Sequence, residues 1–253
     1  MASVIDMTGR IVIVTGGARG VGRGIVRRFH EAGADVVICG RNEPQEPVTD
    51  AGRRAKFVQA DVRVPEQIRA VVDETLDVYG RLDVLVNNAG GTGPSDVKTV
   101  SPRYHSAMVD LNLIAPLNFS VAAYHAMKDQ EGGGSILFIS SVAAEFPDPV
   151  SIAYAAAKAG IANLCRSLAV DFAPQVRVNV ITAGLILTEN SEEFYGADGS
   201  RVVGRIPLGR LGRPEDVGDA CLLLSEPRYA GWITGSNLAC HGGLSIPITA
   251  IEG

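Results

Sequence analysis

Cysteine is scarce. The 253 residues hold four, Cys39, Cys165, Cys221 and Cys240, and no two stand as C-x-x-C. That spacing argues against a disulfide framework and reads instead as reduced, buried small residues of a cytoplasmic protein. Metal-ligand patterns are missing as well. His30, His105, His125 and His241 include no H-E-x-x-H and no pair at ligand spacing, so no metal site is expected. No run of 18 consecutive apolar residues occurs, which argues against a membrane span. The start, MASVIDMTGR, has no basic end followed by a long apolar stretch, as a secretory signal would. Basic charge is not in excess either. The net charge of −5 disfavours nucleic acid and anionic membrane as main partners.

What is present is a chain 46% hydrophobic and 20% charged, long enough to bury one large core. No linker, repeat or low-complexity stretch divides it, so residues 1–253 are expected to form a single domain. Short β-branched runs at 11–15, 35–39, 56–60, 83–88, 135–141, 176–181 and 237–240 read as strands. Helical stretches at 21–33, 65–79, 102–130, 152–172 and 214–225 fall between most of them. Continuous apolar strands alternating with helices predict an α/β fold, a Rossmann-type doubly wound parallel sheet of about seven strands. Residues 41–55 carry Pro44 and Pro47 with little helical period, and a loop or one short helical turn is expected there.

Three strand ends are polar. After the first strand stands TGGARGVG, with Gly16, Gly20 and Gly22 in the spacing G-x-x-x-G-x-G. A strand, a glycine turn and a helix aim backbone N–H groups and a positive helix end at a pyrophosphate, although the same glycines also suit tight packing alone. NNAG, residues 87–90, ends another strand, and QAD ends at Asp61. In such sheets ligands bind beyond the carboxyl ends of the strands.

The stretch SIAYAAAKAG sets Tyr154 and Lys158 four residues apart, on one face of a helix. This is either a surface pair of small consequence or a phenol held beside an ammonium for proton transfer. TGGARGVG, NNAG, the paired serines before Y-A-A-A-K, and GRLGRPEDV, all in order, resemble the short-chain dehydrogenase/reductase family over about residues 9–243. The resemblance implies Tyr154 as acid/base and Lys158 as its partner. Lowering a phenol from about 10 to about 7 takes roughly 4 kcal/mol. Two unit charges about 4 Å apart at an effective dielectric near 20 interact by about 4 kcal/mol. Ser141, thirteen residues before Tyr154, takes the family's serine position in preference to Ser140. Asn112 takes a fourth position, its backbone holding a relay water. Pro116 cannot donate to the Asn112 carbonyl, so a kink is expected there, whether or not it serves a relay.

The same resemblance sets a dinucleotide against Gly16, Arg19, Gly20, Val21 and Gly22, against Arg41, Asp61 and Val62, and against Asn88, Ala89 and Gly90. It continues to Tyr154 and Lys158, and to Gly184, Ile186 and Thr188 after the sixth strand, where Ala183 replaces the family's proline. His241 stands where an aspartate is common and reads as structural. At the end of the second strand Gly40 occupies the position of the carboxylate that selects NAD, and Arg41 follows it. With Arg19, this points to NADP, with NAD possible. The expected activity is hydride transfer between nicotinamide and a secondary alcohol or ketone of a small to medium apolar substrate. The alternatives are a 3-oxoacyl-thioester (acyl-carrier-protein) reductase and a nucleotide-binding relative without catalysis. Segment 188–204, with Phe194 and Tyr195, and the tail 244–253 are expected near the substrate. A homo-oligomer, dimer or tetramer, is implied through the long helices, one of them alanine-rich.

Overall fold

Strands that are apolar on both faces need cover on both. The computed structural model describes residues 5–93, 95–189, 191, 195–196 and 199–244. Its main strands are β1 Ile11–Thr15, β2 Asp35–Gly40, β5 Lys56–Gln59, β6 Val84–Asn87, β7 Gly134–Ser141, β8 Val176–Ala183 and β9 Asn237–Cys240. They pair in parallel in the order β5–β2–β1–β6–β7–β8–β9. The helices are α1 Gly20–Glu31, α2 Pro65–Tyr79, α3 Pro102–Val109, α4 Ala115–Met127, α5 Ile152–Asp171, α6 Pro214–Ser225 and the short α7 Pro227–Ala230.

Alternation along the strands sorts the core into two layers. Ile13, Val37, Leu85, Ile136, Phe138 and Val178 meet Ile68, Phe119, Met127, Ile161 and Cys165 of α2, α4 and α5. Val12, Val14, Val36, Val86 and Leu137 meet Ile25, Phe29, Val217 and Cys221 of α1 and α6. Each such fully buried side chain contributes about 1.5–3 kcal/mol. Helix α2 starts with Pro65 in its first turn and stops at Gly80, φ 75°, the usual asymmetry of helix ends. Pro102–Met127 is long and apolar enough, by length and composition, to cross a membrane. In this fold its Phe119, Ala123 and Met127 pack into the sheet's core.

Two expectations are corrected. Residues 41–55 are not merely a loop or a helical turn: β3 Thr49–Asp50 and β4 Arg53–Arg54 form a hairpin. Ala51 and Gly52 both have positive φ, 51° and 75°, as a two-residue turn matched to strand twist requires. Asp50 is held by Arg23 and Arg27 of α1. The long helix 102–130 is also not one α-helix. It widens into a π turn at Asp110–Ile114, where the Ala115 N–H reaches back to the Asp110 carbonyl, and it ends at Met127. The backbone answers the missing donor of Pro116 by widening in the turn before it. Such π turns are concentrated at functional sites.

Candidate functional site

The sheet order reverses at β1, with β2 on one side and β6 on the other, and the crevice beyond these strand ends is where such sheets take ligands. Thr15, the last residue of β1, organises the crevice. Its Oγ accepts the N–H groups of Asn88 at 2.9 Å and Ala89 at 2.8 Å. The Asn88 amide donates in turn to the Thr15 carbonyl at 2.8 Å and to that of Gly16 at 3.3 Å. The glycine turn and the β6 end are therefore one bonded unit. A Cβ at Gly22 would lie 2.4 Å from the Gly16 carbonyl oxygen and 2.5 Å from the Asn88 amide nitrogen, so no side chain is tolerated there. Gly16 and Gly20 have φ of 66° and 53°, a region that disfavours side chains. The turn fits a pyrophosphate, and its Gly20 N–H already donates to an anion, the Glu189 carboxylate, at 3.1 and 3.3 Å.

At the adenosine end, Arg19 and Arg41 are both exposed. The Arg41 carbonyl is held by Gln59 at 2.9 Å. Asp61 is gripped by both arms of the Arg63 guanidinium, at 2.9 and 2.6 Å. That hydrogen bonding, with the charges of Arg63 and Arg41, outweighs burial and holds the Asp61 carboxyl at about 2. Val62 packs its side chain into the core, which leaves only its backbone for a ligand. Arg63 carried no signal in the sequence beyond its place after Asp61.

The chemical end lies on β7 and α5. Ser140 and Ser141 point to opposite sides of β7, as strand neighbours must. Ser140 donates to the Lys158 carbonyl at 3.2 Å and is buried. Ser141 hydrogen-bonds the Tyr154 phenol and accepts the Ala143 N–H at 3.2 Å. One helical turn on, Lys158 is buried, its Nζ donating to the Ile139 carbonyl at 2.8 Å and lying 5.7 Å from the centre of the Tyr154 ring. Burial brings Lys158 down to about 8. The phenol departs from the expected lowering. Burial pushes Tyr154 up, the Ser141 hydrogen bond pulls it down, and the Asp148 carboxylate adds a further push up.

Asn112 sits in the π turn, fully buried. Its side chain braces the loop after β6, accepting the Gly91 N–H at 3.0 Å and donating to the carbonyls of Gly91 at 3.2 Å and Met108 at 3.0 Å. A Cβ at Gly90 would stand 2.6 Å from the Asn112 Oδ1 and 3.4 Å from the Lys158 Nζ. Gly90, Asn112 and Lys158 are thus immediate neighbours, although 22 to 68 residues separate them along the chain.

The turn after β8 does not need its missing proline. Gly184 donates to Cys240 at 3.0 Å, Gly212 donates to Leu185 at 2.9 Å, and Leu187 donates to Gly212 at 2.8 Å. Ile186 and Thr188 follow on this pinned segment. His241 lies against Gly184, where a Cβ would come within 2.6 Å of its Cα. Above it Val142, Leu185, Val202, Ile206, Leu211 and Leu244 form a third apolar cluster that Phe146 and Tyr195 join. Burial, then the Tyr154 phenol, raise the Tyr195 hydroxyl to about 12. Phe194 and residues 245–253 of the tail lie outside the described residues.

A doubly wound parallel sheet with a glycine turn after its first strand defines the dinucleotide-binding Rossmann class. The family model described as enoyl-(acyl carrier protein) reductase matches residues 16–245. The glucose 1-dehydrogenase 2 of Bacillus subtilis is 33% identical, over 98% of this chain and 99% of its own. The 3alpha-hydroxysteroid dehydrogenase of Mediterraneibacter gnavus is 34% identical, over 92% and 96%. The ligand-free aldohexose dehydrogenase of Thermoplasma acidophilum superposes with a TM-score of 0.86 at 30% identity, covering 97% of this chain and 100% of that one. The chain belongs to the short-chain dehydrogenase/reductase family and is an oxidoreductase that acts on CH–OH groups.

Proposed function

We propose that this chain transfers a hydride between NADP and a secondary alcohol or ketone of a small to medium apolar substrate. The observation that carries the reading is the buried Lys158, held by the Ile139 carbonyl at 2.8 Å with its Nζ 5.7 Å from the centre of the Tyr154 ring, next to the braced glycine turn. A bound nicotinamide nucleotide supplies the hydride acceptor or donor. In oxidation Tyr154 as the phenolate takes the proton of the substrate hydroxyl, and in reduction Tyr154 as the phenol gives its proton to the carbonyl oxygen. Ser141 hydrogen-bonds the same oxygen as its charge changes. Lys158 is held by Ile139, and its remaining N–H groups favour the phenolate once it forms. Asn112 holds the Gly90–Gly91 backbone against Lys158. Gly184, Ile186 and Thr188 meet the nicotinamide end, and segment 188–204 meets the substrate.

NADP is supported by Arg19 and Arg41, whose planar forks suit a 2′-phosphate. No carboxylate opposes them at Gly40. A Cβ there would make only ordinary contacts, 3.8 Å to Phe57 and 3.9 Å to the Asn42 carbonyl oxygen, so the position admits an aspartate. The double change Gly40→Asp with Arg41→Ala is expected to reverse the nucleotide preference, each lost charged contact being worth roughly 1.5–3 kcal/mol. A parent enzyme with a higher kcat/KM for NADH than for NADPH contradicts this assignment.

The apolar cluster around Tyr195 supports an apolar substrate such as a steroid-like or terpenoid ketone. The second reading, an acyl-carrier-protein reductase, is favoured by the matching family model. Against it, Lys128 is paired with Asp129 at 2.8 Å, and residues 171–175 contain no cation. Initial rates on a panel of apolar ketones, aldoses and 3-oxoacyl thioesters separate the readings. Preference for the thioesters overturns the first.

A further inference from the structure

The glycine turn of a nucleotide site offers its N–H groups to an anion, and here one of them is already engaged from within the chain. Gly20 opens α1 and donates to both carboxylate oxygens of Glu189, 169 residues away. The contact is supported from below. A Cβ at Gly20 would meet the Thr188 methyl at 3.6 Å and Glu189 Oε2 at 3.8 Å. Helix α1 does not cap itself there: its N-cap residue, Arg19, makes no side-chain cap, and no acidic residue lies in its first turn. Glu189 thus does for α1 what an N-cap carboxylate ordinarily does, stabilising orphan donors and the positive helix end.

A pyrophosphate cradled by the N–H groups at the start of α1 would compete for this donor, and two anions cannot share it at hydrogen-bond distance. We infer that Glu189 is an internal competitor of the dinucleotide, whose carboxylate must leave Gly20 when the pyrophosphate binds. The inference rests on the nucleotide reading of the turn given above. It makes Glu189 a positioning residue that lowers apparent nucleotide affinity, because only the fraction of molecules with the carboxylate withdrawn can bind. It also ties binding to the segment that carries Glu189. Ser191 locks that segment, its Oγ accepting the Thr188 N–H at 3.0 Å and donating to the Thr188 carbonyl at 2.8 Å. The Tyr195 N–H then bonds the Ser191 carbonyl at 2.8 Å. Withdrawal of Glu189 therefore acts on a turn already bonded to Thr188 through Ser191.

The test is equilibrium titration of the full chain with NADPH and NADH, comparing the parent with Glu189→Ala and Glu189→Asp. The contact is exposed, so a modest gain is expected: about two- to fivefold tighter binding in the alanine variant. The aspartate variant keeps the charge and shortens the reach by one methylene, so it should tighten binding as well. Adenosine 2′-phosphate, which lacks the pyrophosphate, should bind all three proteins equally. A gain in both variants for the dinucleotides alone supports the inference. It is overturned if the alanine variant binds no tighter, if aspartate behaves like the parent, or if adenosine 2′-phosphate gains equally, since the last two signify general charge rather than competition for Gly20. A parent that binds neither dinucleotide overturns the nucleotide reading itself, and this inference with it.

Discussion

Lys158 and Tyr154 divide their labour by burial. The ammonium is sunk among the strand ends with one carbonyl partner and is correspondingly easy to deprotonate, near 8. The phenol is pushed the opposite way by the same desolvation, so proton transfer depends on what the site gains when ligands enter. Tyr154→Phe removes the transferable proton at nearly constant volume. Turnover is expected to fall about 10²–10⁴-fold, while nucleotide affinity, measured by titration, stays that of the parent. Retained turnover would remove Tyr154 from the reaction. Much of this group was legible in the sequence, because four-residue spacing on a helix and the position of Ser141 are local facts. The role of Ser140 as a clasp on Lys158 and the reach of Glu189 to Gly20 were not legible, since both depend on contacts between distant segments. His30 is a residue of a different kind. It is buried on α1 with neither ring nitrogen hydrogen-bonded, and burial lowers its pKa below 6.5, with Asp50 and Asp35 pulling up and Arg23 and Arg53 pulling down. The unfolded chain therefore binds a proton that the folded chain refuses. Stability is full above about pH 6.5 and is lost as pH falls from there through the lower folded value. His30→Leu should lessen that acid loss, and urea unfolding of both proteins at about pH 7.5 and about pH 5.5 measures it.

At the scale of elements, boundaries followed where a local signal marked them. Strands 11–15 and 237–240 and helices 65–79 and 214–225 stand at the residues expected from the sequence, the two helices each opened by a proline in the first turn. The hairpin at 49–54 was obscured by Pro44 and Pro47 just before it and by strands only two residues long. Asp50-Ala51-Gly52 was the turn signal, visible once two positive φ values are allowed side by side. The π turn had a cause in the sequence, Pro116, but its form, widening instead of kinking, is decided by how Asn112 and Leu113 pack. The pairing of α1 with α6 explains a part of GRLGRPEDV that bears no direct chemistry. A Cβ on Gly24 would come within 2.2 Å of Pro214 Cβ and 2.5 Å of its backbone carbon. Because the obstacle is backbone, the helices must separate to admit it. Gly24→Ala is therefore expected to destabilise the protein by about 1–3 kcal/mol despite the better helix propensity of alanine. A denaturation midpoint equal to the parent's would show that this contact yields without cost.

Across the whole molecule, exposed apolar residues are scattered, and two groups of them sit on or beside helices. Ile114 is 40% exposed and Val121 39%, while Val170 is 83% exposed on α5. Small Ala156 and Ala159 are exposed between them on α5. Gly160 lets Leu113 nest against α5, since an added Cβ would stand 3.2 Å from it, and so the π turn and α5 present one shallow face. The second group, Leu223, Tyr229 and the fully exposed Trp232, lies around α6 and α7, near the sheet edge formed by β9. A face of small residues permits close helix approach, and stable association needs about 800 Å² buried per partner, an area within reach of two such helices. Closed symmetry makes a self-complementary patch produce a dimer, and two independent patches a tetramer. The parent is therefore expected to sediment as a homo-oligomer at micromolar concentration. Ala159→Arg places a long charged chain on the α5 face and should dissociate it. Trp232→Arg tests the other face. If each variant halves a tetramer to a dimer, both patches are interfaces. If only Ala159→Arg acts, on a dimer, the α5 face alone assembles the protein. A parent that sediments as a monomer contradicts assembly through either.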